Sequence, residues 1–420
     1  MSTRSPAVRR LADWDSDGLC GLAERYGTPL YVYDLDRVRE NAARLRSAFD
    51  AEDVSYAVKA NTSRPVLSTL AEAGVGAECA SAGELQRALD AGFPAERVRY
   101  TAVNPPEGDL DRVVSLAGEY GGAFVVTVGA ADTLDALRER GYDGPLCIRA
   151  NPGVGAGHHA KVTTGDEPKF GVPAERVADL AATASADFDV VGLHAHAGSG
   201  ISAGQLDAHR DLVARMGTLA RDVEDRGIDL DFVNVGGGFG VPYEPGEEPL
   251  DLDSVAAATR EAIGDVDAQL GVEPGRYFVA DAGVLLAEVN TVKETAETTV
   301  VGVDAGMTTL VRPAMYDAHH EIRLLAPDGA ERERISATVA GPICETADVL
   351  GRGRDLPRPQ RGEVLAVGNA GAYGYEMASN YNSRPRPAVV VLDDGDDALA
   401  VRRETLDDVT RLEREAHDTW

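Results

Sequence analysis

Lysine is scarce in this chain, and one lysine stands where an amine could do chemistry. Only four of the 41 basic residues are lysine, and Lys59 directly follows the short apolar run "VSYAV" at 54–58. A lysine at the wet end of a strand is usually just solvated. A partly desolvated lysine, in contrast, has a depressed pKa and can form a Schiff base with an aldehyde. Because arginine cannot form an imine, Lys59 is a candidate catalytic residue.

A glycine run later in the chain is suited to binding an anion. The motif "VNVGGGFG" at 233–240 places Gly236, Gly237 and Gly238 directly after an apolar run. Consecutive glycines leave backbone N–H groups open to a phosphate, although a tight turn is the simpler interpretation. We interpret the run as a candidate phosphate cradle.

The segment "GLHAHAGSG" at 192–200 contains two histidines and a serine. His194 and His196 alternate along a predicted strand, so we expect opposite orientations and only one ring facing a site. His196 is nearer the strand end, and its ring could stack on a flat cofactor; a buried, hydrogen-bonded histidine is the alternative. The alternation disfavours metal binding by the pair. Ser199 could donate to a phosphate.

The motif "EPGRY" at 273–277 contributes a carboxylate and a guanidinium. Glu273 ends a weak apolar run, and Arg276 could hold a carboxylate bidentately; a surface turn is the alternative. A Schiff-base lysine, a phosphate cradle, a stacking ring and a carboxylate together match pyridoxal 5'-phosphate. Its pyridine nitrogen stays protonated beside a carboxylate, and the ring then acts as an electron sink. The predicted cofactor is therefore pyridoxal 5'-phosphate, with no metal.

Buried strands alternating with helices position these groups. Apolar runs that predict strands lie at 54–58, 75–79, 98–102, 123–128, 145–150, 189–195 and 231–235, with a weaker eighth at 269–273. Segments with helical spacing, ending in glycine, lie between them. Eight such units favour a closed (β/α)8 TIM-like barrel over an open doubly wound sheet, with active-site residues at the carboxyl ends of the strands.

The pattern changes after about residue 280. Strand-like segments with little helix between them follow at 285–295, 298–306, 334–344, 363–374 and 388–394. They predict a second, mostly β domain of the sandwich or barrel type, joined by an early strand at 29–33. We therefore expect a cofactor-binding barrel over 34–280 and a β domain formed by 1–33 and 281–420.

The composition of this 420-residue chain limits its partners and its location. A net charge of −29 argues against nucleic acid, which needs a basic footprint. The excess of acid and the shortage of lysine favour a halophilic protein, because concentrated salt screens carboxylate repulsion; solubility alone is the alternative. The sequence has no apolar membrane span and no signal-peptide core. Its four cysteines show no metal-ligand spacing. We expect a cytoplasmic protein with reduced thiols.

Seven short motifs occur in order over almost the whole chain, and together they carry a resemblance. They are "YAVKAN", "SAGEL", "GLHAHAGS", "GGGFG", "EPGR", "GPICETAD" and "GAYGYEMASNYNSRPRP". The ordered set resembles the fold-type III pyridoxal-phosphate decarboxylases, and most closely the diaminopimelate decarboxylases. The resemblance implies decarboxylation of meso-2,6-diaminopimelate to L-lysine and carbon dioxide, the last step of lysine biosynthesis by the diaminopimelate route.

The resemblance also implies roles for individual residues. Lys59 forms the Schiff base, His196 stacks on the ring, and Glu273 binds the pyridine nitrogen. Cys344 is the proton donor and comes from the partner subunit, so the enzyme is a homodimer with shared active sites. The phosphate is held by Ser199, Gly236, Gly237, Gly238, the backbone of Gly275 and Arg276, and the hydroxyl of Tyr373, which is also assigned to the substrate.

The substrate end is implied by the stretch "LVRPAMYDAHHEI" at 310–322. Arg276 and Arg312 would bind the distal carboxylate of diaminopimelate, Tyr316 would hydrogen-bond it, and Glu345 would take the distal ammonium. Ornithine has no such carboxylate, and a polar site rejects a substrate that leaves its groups unpaired. A surface salt bridge is the alternative for Arg312.

Three departures and two rival functions remain open. The family usually has Asp at Glu78 and Asn-Asp at Thr308 and Thr309, and the stretch at 101–110 lacks its usual lysine. Glu84 and Arg149 could contact the site. The rivals are another fold-type III enzyme, namely an arginine, ornithine or carboxynorspermidine decarboxylase or a racemase, and a pyridoxal-phosphate-binding relative without turnover.

Overall fold

The structure of the protein is a computed structural model. It describes residues 7–50, 52–154, 156–157, 169–196, 198–199, 201, 206–296 and 298–416. Two compact units divide the chain. The barrel unit comprises 39–241 and 250–278, and the β unit comprises 1–38, 242–249 and 279–420.

The elements are numbered in chain order. The helices are α1 Ser16–Tyr26, α2 Leu35–Ala48, α3 Arg64–Glu72, α4 Ala82–Asp90, α5 Glu107–Glu119, α6 Ala131–Glu139, α7 Ala174–Ala184, α8 Leu206–Glu224, α9 Leu252–Ile263, α10 Arg276–Val279, α11 Arg312–Tyr316 and α12 Leu406–Ala416. The first twelve strands are β1 Leu30–Asp34, β2 Asp53–Ala57, β3 Gly76–Cys79, β4 Val98–Tyr100, β5 Val125–Val128, β6 Pro145–Asn151, β7 Ala156–Gly157, β8 Val172–Pro173, β9 Asp189–His194, β10 Gly198–Ser199, β11 Phe232–Asn234 and β12 Gln269–Val272. The remaining strands are β13 Gly283–Glu294, β14 Thr299–Val303, β15 Ile322–Leu324, β16 Arg334–Ala340, β17 Val349–Pro357, β18 Val364–Val367, β19 Ala388–Asp393 and β20 Asp396–Val401.

Eight parallel strands of the barrel unit close on themselves. Their order around the barrel is β2, β3, β4, β5, β6, β9, β11 and β12, and β12 pairs with β2 to complete the ring. Strands such as β3 and β5 are buried along their whole length, which explains their continuous apolar sequences. The expected (β/α)8 barrel is confirmed, including the weak eighth strand.

Local signals set the turns that carry chemistry. A short 3₁₀ turn, Val58–Ala60, directly follows β2 and contains Lys59. After β3, the Ser81 hydroxyl accepts a hydrogen bond from the Glu84 amide at 3.2 Å and so caps α4. Both turns follow the carboxyl ends of barrel strands, which is where active sites of this fold lie.

The β unit contains one nine-stranded sheet. Its main path runs β17, β16, β14, β13, β1, β19 and β20, while β18 pairs with β13 and β15. The N-terminal strand β1 is central, antiparallel to β13 and parallel to β19. A core of buried side chains from α1, β1, β13 and β19, including Leu19, Leu30, Leu286 and Val390, packs on it. The expected mostly β second domain is confirmed as a fold class.

A buried ion pair ties two segments of the β unit together. Arg37 is fully buried, and its Nη2 lies 2.7 Å from Oδ2 of Asp281.

None of the helices in the described ranges has the length and apolar character needed to cross a membrane.

Candidate active site

Lys59 is paired with a buried carboxylate. Its Nζ lies 2.8 Å from Oε2 of Glu78, which belongs to the neighbouring strand β3 and is almost fully buried, while the lysine side chain stays 40% exposed. Parallel neighbours end at the same edge of the barrel, so a residue after β2 and one in β3 meet there. Glu78, which looked from the sequence like a departure from the family pattern, is the counter-ion that orients the amine.

Two further residues named from the sequence lie near this pair. Oε2 of Glu84 accepts the Ala80 amide at 2.7 Å, and burial raises the pKa of Glu84 to about 6. Arg149, in β6, is buried with its guanidinium 5.2 Å from the Phe170 ring, and burial lowers its pKa. Glu84 and Arg149 therefore add charged groups to the barrel. Their contacts do not indicate a catalytic role for either residue.

Glu273 follows β12 and makes one strong hydrogen bond. Its Oε1 lies 2.7 Å from Nε2 of His194, and both side chains are buried, with exposures of 4% and 2%. Burial raises the pKa of Glu273 to about 7, against the opposing charges of Lys59 and Arg149. The other oxygen, Oε2, is buried and has no hydrogen-bond partner among the described residues. An oriented carboxylate oxygen is thus left available to a donor from a ligand.

His196 contacts the glycine run instead of a strand neighbour. Its Nδ1 accepts the amide N–H of Gly237 at 3.2 Å, and burial together with the Lys59 charge lowers its pKa. Because Nδ1 accepts, it has no proton in this contact, and the lowered pKa favours the neutral ring. The expectation that only one of the two histidines faces the site stays a prediction: His194 contacts Glu273, whereas His196 contacts Gly237. Because β9 ends at His194, the strand alternation no longer applies at His196.

The glycine run is closely surrounded by backbone. A Cβ on Gly236 would lie 2.6 Å from the Ala195 carbonyl, one on Gly237 2.3 Å from that of Glu273, and one on Gly238 2.5 Å from that of Gly198. Gly236 and Gly238 also have positive φ angles of 80° and 89°. A side chain is excluded at all three positions, as a backbone cradle for an anion requires.

The amides of this run are not equally available. The Gly236 N–H donates to Oδ1 of Asn234 at 2.8 Å, and the Gly237 N–H donates to His196. The Gly238 N–H is the one of the three that meets no acceptor within the described part of the chain. Of the other predicted phosphate ligands, the buried Arg276 begins α10 and Gly275 directly precedes it. Ser199 lies in β10, and its side chain is outside the described residues.

The β unit contains Arg312 and Tyr316, two of the residues predicted to bind the distal carboxylate. Arg312, 3% exposed, begins α11, and its Nε donates to Nε2 of His320 at 3.3 Å. Nδ1 of His320 faces the Gly368 carbonyl at 2.9 Å, so this nitrogen has the proton and Nε2 is the acceptor. The Tyr243 ring lies 5.2 Å from the Arg312 guanidinium. Tyr316 is the last residue of α11.

Cys344 and Glu345 lie on a clamped, exposed loop of the β unit. The loop is fixed by Asp348, whose oxygens accept the amides of Met307 at 2.5 Å and Ile343 at 2.6 Å. The Asn382 amide lies 3.4 Å from the Cys344 sulfur, and the Tyr381 hydroxyl donates to Glu345 at 2.5 Å.

Two other residues named from the sequence lie in the β unit: Tyr373, a predicted ligand, and Thr309, a departure from the family pattern. Tyr373 has a left-handed backbone, with φ of 55°, in the turn after β18. A non-glycine residue in that conformation is uncommon and concentrates at functional sites. Thr309 hydrogen-bonds within its own turn, from Oγ1 to the Gly306 carbonyl at 2.8 Å.

The barrel residues fit pyridoxal phosphate. A lysine with a carboxylate partner, a neutral ring, a glycine cradle and a buried carboxylate oxygen without a donor are the groups that its aldehyde, ring, phosphate and pyridine nitrogen need. No cluster of three or more His, Cys, Asp or Glu side chains able to hold a metal occurs in the ranges that the structure covers.

Comparison with known proteins gives a family and close relatives. Residues 35–280 match the model of the pyridoxal-dependent decarboxylase, pyridoxal binding domain. The chain is 41% identical over 407 residues to diaminopimelate decarboxylase from Methanothermobacter thermautotrophicus, covering 93% of this chain and 92% of that protein. It is 38% identical to the Pseudomonas fluorescens diaminopimelate decarboxylase, covering 92% of each chain.

The fold agrees with a solved structure as well. A crystal structure of diaminopimelate decarboxylase from Helicobacter pylori, complexed with L-lysine, superposes with a TM-score of 0.88 at 33% identity. The match covers 95% of this chain and all of that one. The resemblance seen in the sequence motifs is confirmed.

Proposed function

Because the chain belongs to the diaminopimelate decarboxylase family of pyridoxal-dependent decarboxylases, we propose that it converts meso-2,6-diaminopimelate to L-lysine and carbon dioxide. This reaction is the last step of lysine biosynthesis by the diaminopimelate route, and pyridoxal 5'-phosphate is the cofactor. One observation carries the proposal: a buried carboxylate, Glu273, keeps one oxygen without a partner among described groups, in the same barrel as the Lys59 amine.

The barrel residues would hold the cofactor, which supplies an aldehyde for amines and a ring that accepts electrons from a breaking bond. Lys59 would hold the aldehyde through its amine, with Glu78 orienting Nζ. Glu273 would face the ring nitrogen, His196 would cover the ring, and Gly238 would donate to the phosphate. The family resemblance assigns phosphate binding also to Gly236, Gly237, Ser199, Gly275, Arg276 and Tyr373.

Residues of the β unit would bind the substrate and return a proton. Arg312 would bind the distal carboxylate with Arg276, Tyr316 would hydrogen-bond it, and Glu345 would take the distal ammonium. Tyr373 would add a hydroxyl. The Cys344 thiol would give its proton to Cα after carbon dioxide leaves.

The buried state of Arg312 supports diaminopimelate over ornithine. A guanidinium that is 3% exposed is expensive to keep unless it binds a ligand or partner. Its Nε donates to Nε2 of His320, so this described hydrogen bond is made to a neutral acceptor. An ornithine enzyme has no second carboxylate to bind there.

A substrate panel tests the proposal directly. Carbon dioxide release would be measured from meso-diaminopimelate, ornithine, arginine and carboxynorspermidine, in molar KCl with pyridoxal phosphate and with Lys59→Ala as control. We expect release from diaminopimelate alone, with L-lysine formed. Release from another amino acid would overturn the substrate assignment, and wild-type turnover by Lys59→Ala would overturn the chemistry.

We further propose a homodimer with shared active sites, in which Cys344 and Glu345 act in the partner's site. Both residues are exposed on a clamped loop, beside a Tyr381 side chain that is 46% exposed. This exposure supports a surface that a partner subunit would cover. Two inactive variants, Lys59→Ala and Cys344→Ala, should form mixed dimers with one intact site, restoring about a quarter of wild-type activity. Mixtures as inactive as the parents would contradict shared sites.

We propose a halophilic, cytoplasmic protein that does not bind nucleic acid. The net charge of −29 supports adaptation to salt and repels phosphate backbones. Four free cysteines support a reducing compartment.

A further inference from the structure

His194 has the geometry of a group built to act on Glu273. It is the last residue of β9, while Glu273 follows β12, and β11 lies between these strands. The two side chains meet across that strand with 2.7 Å between Nε2 and Oε1, and both are almost fully buried. Burial of two titratable groups in contact is costly unless each satisfies the other.

The contacts of His194 fix which nitrogen has the proton. Its Nδ1 is buried and has no hydrogen-bond partner among the residues that are described. A proton on Nδ1 would therefore be unsatisfied, and burial, reinforced by the charge of Arg149, lowers the pKa of this histidine. The ring is neutral, its single proton is on Nε2, and Nε2–H donates to Oε1 of Glu273.

This arrangement divides the two oxygens of Glu273. Oε1 is used by His194, whereas Oε2 is buried without a donor from the described protein. The charges that face the pair from other elements are Asp53, Lys59, Glu78, Arg99 and Arg149. These charges change the electrostatic field at the carboxylate, whereas the hydrogen bond from His194 is the contact among described residues that fixes the direction of its second oxygen.

We propose that His194 is a positioning residue: by donating to Oε1 it favours the ionised form of Glu273 and aims Oε2 at the protonated ring nitrogen of pyridoxal phosphate. The inference rests on the proposed function and deepens it. It assigns different work to the two histidines of the "HAH" motif, since His196 instead accepts the amide of the glycine run.

The test compares three substitutions in the enzyme reconstituted with ¹⁵N-labelled pyridoxal phosphate in molar KCl. His194→Gln keeps an N–H donor near the Nε2 position, and His194→Phe keeps the ring volume without the donor. His209→Phe is the matched control, because His209 is equally buried and its Nε2 also makes one bond, at 2.8 Å to Thr259, away from the site. The readouts are the ¹⁵N shift of the ring nitrogen, kcat, KM and the melting temperature.

We expect His194→Phe to move the ring nitrogen toward the neutral-pyridine shift and to lower kcat about 10- to 100-fold, with KM little changed, as for other residues that orient an active-site ligand. His194→Gln should retain both properties, and His209→Phe should lower only the melting temperature. In a Glu273→Gln background, His194→Phe should cost no further activity, because its effect passes through Glu273.

Three results would overturn the inference. The first is a His194→Phe enzyme with a protonated ring nitrogen and kcat within twofold of wild type. The second is a loss of kcat on His194→Phe that is as large in the Glu273→Gln background as in wild type, and the third is a His194→Gln enzyme as impaired as His194→Phe. If His194→Phe does not fold, His194→Asn, whose amide reaches the Nδ1 and not the Nε2 position, takes its place with the same expected outcomes. The ring-nitrogen shift needs no substrate, so it separates this inference from the choice of substrate. A wild-type protein that binds no pyridoxal phosphate would overturn both this inference and the proposed function.

Discussion

Adding one methyl group at Gly237 should impair the site through its backbone. The Cβ of Gly237→Ala would lie 2.3 Å from the carbonyl oxygen of Glu273 and 2.9 Å from the Cα of Pro274. Relief of that overlap requires a displacement of about 1 Å, because ordinary carbon–oxygen contacts begin near 3.4 Å. Both atoms are backbone, so no side-chain rotation can absorb the movement. Either the glycine run or the segment containing Glu273 must shift.

The expected magnitude follows from this overlap. Overpacking of this kind costs about 1–3 kcal/mol, and if the bound state requires the native loop, cofactor affinity falls about 5- to 150-fold. A shift of about 1 Å at a catalytic group can cost a further factor of about 100 in kcat. We therefore expect Gly237→Ala to show a raised Kd for pyridoxal phosphate and a lowered kcat.

The assay is equilibrium dialysis for Kd and carbon dioxide release for kcat, with the melting temperature measured in molar KCl. Gly118→Ala is the matched control, because Gly118 lies in α5 and a Cβ there meets nothing within 4 Å. It should bind cofactor normally and melt slightly higher, as glycine-to-alanine changes in exposed helices do. Values of Kd and kcat for Gly237→Ala within twofold of wild type would refute the reasoning.

Three other predictions concern substrate, pH and salt. Arg312→Met should raise KM for diaminopimelate about 100-fold by removing a charged hydrogen-bonding group, whereas Arg354→Met, which removes an arginine beside His319, should not; equal effects would contradict a carboxylate site. In the cofactor-free protein, burial raises the pKa of Glu273 from about 4.5 to about 7, so folding favours the protonated form and wild-type stability falls as pH rises across that interval. Glu273→Gln should therefore gain up to about 3 kcal/mol over wild type at pH 8 and little at pH 4.5; urea midpoints whose difference does not change with pH would argue against this. The melting temperature should rise from low to molar KCl, and an unchanged value would count against halophilic adaptation.

Much of the barrel could be predicted because its strands are buried on both faces. Apolar runs marked seven of the strands clearly and the eighth weakly. The predicted strand at 54–58 differs from the observed β2, Asp53–Ala57, by one residue at each end. Strand β17, Val349–Pro357, was missed because glycine, arginine and aspartate interrupt it and its burial pattern has no clean alternation.

The contacts within the site were harder to predict than its membership. Lys59 and Glu273 could be named from residue type and position, but the partner of Glu273 lies 79 residues away, on a strand that is not its neighbour. Which side chains meet across a barrel depends on the stagger of its strands, and the sequence pattern does not reveal that stagger. The ion pair between Lys59 and Glu78 had a usable signal, since both residues lie at the ends of adjacent parallel strands.

The central position of β1 has a consequence for synthesis on the ribosome. Residues 30–34 pair with β13 and with β19, whose residues 388–393 emerge more than 350 positions later. The barrel strands are all translated by residue 272, so that unit can fold while the first strand of the chain still waits for its partners. An early, partly apolar segment is therefore exposed for most of translation, and the last hundred residues complete the sheet around it.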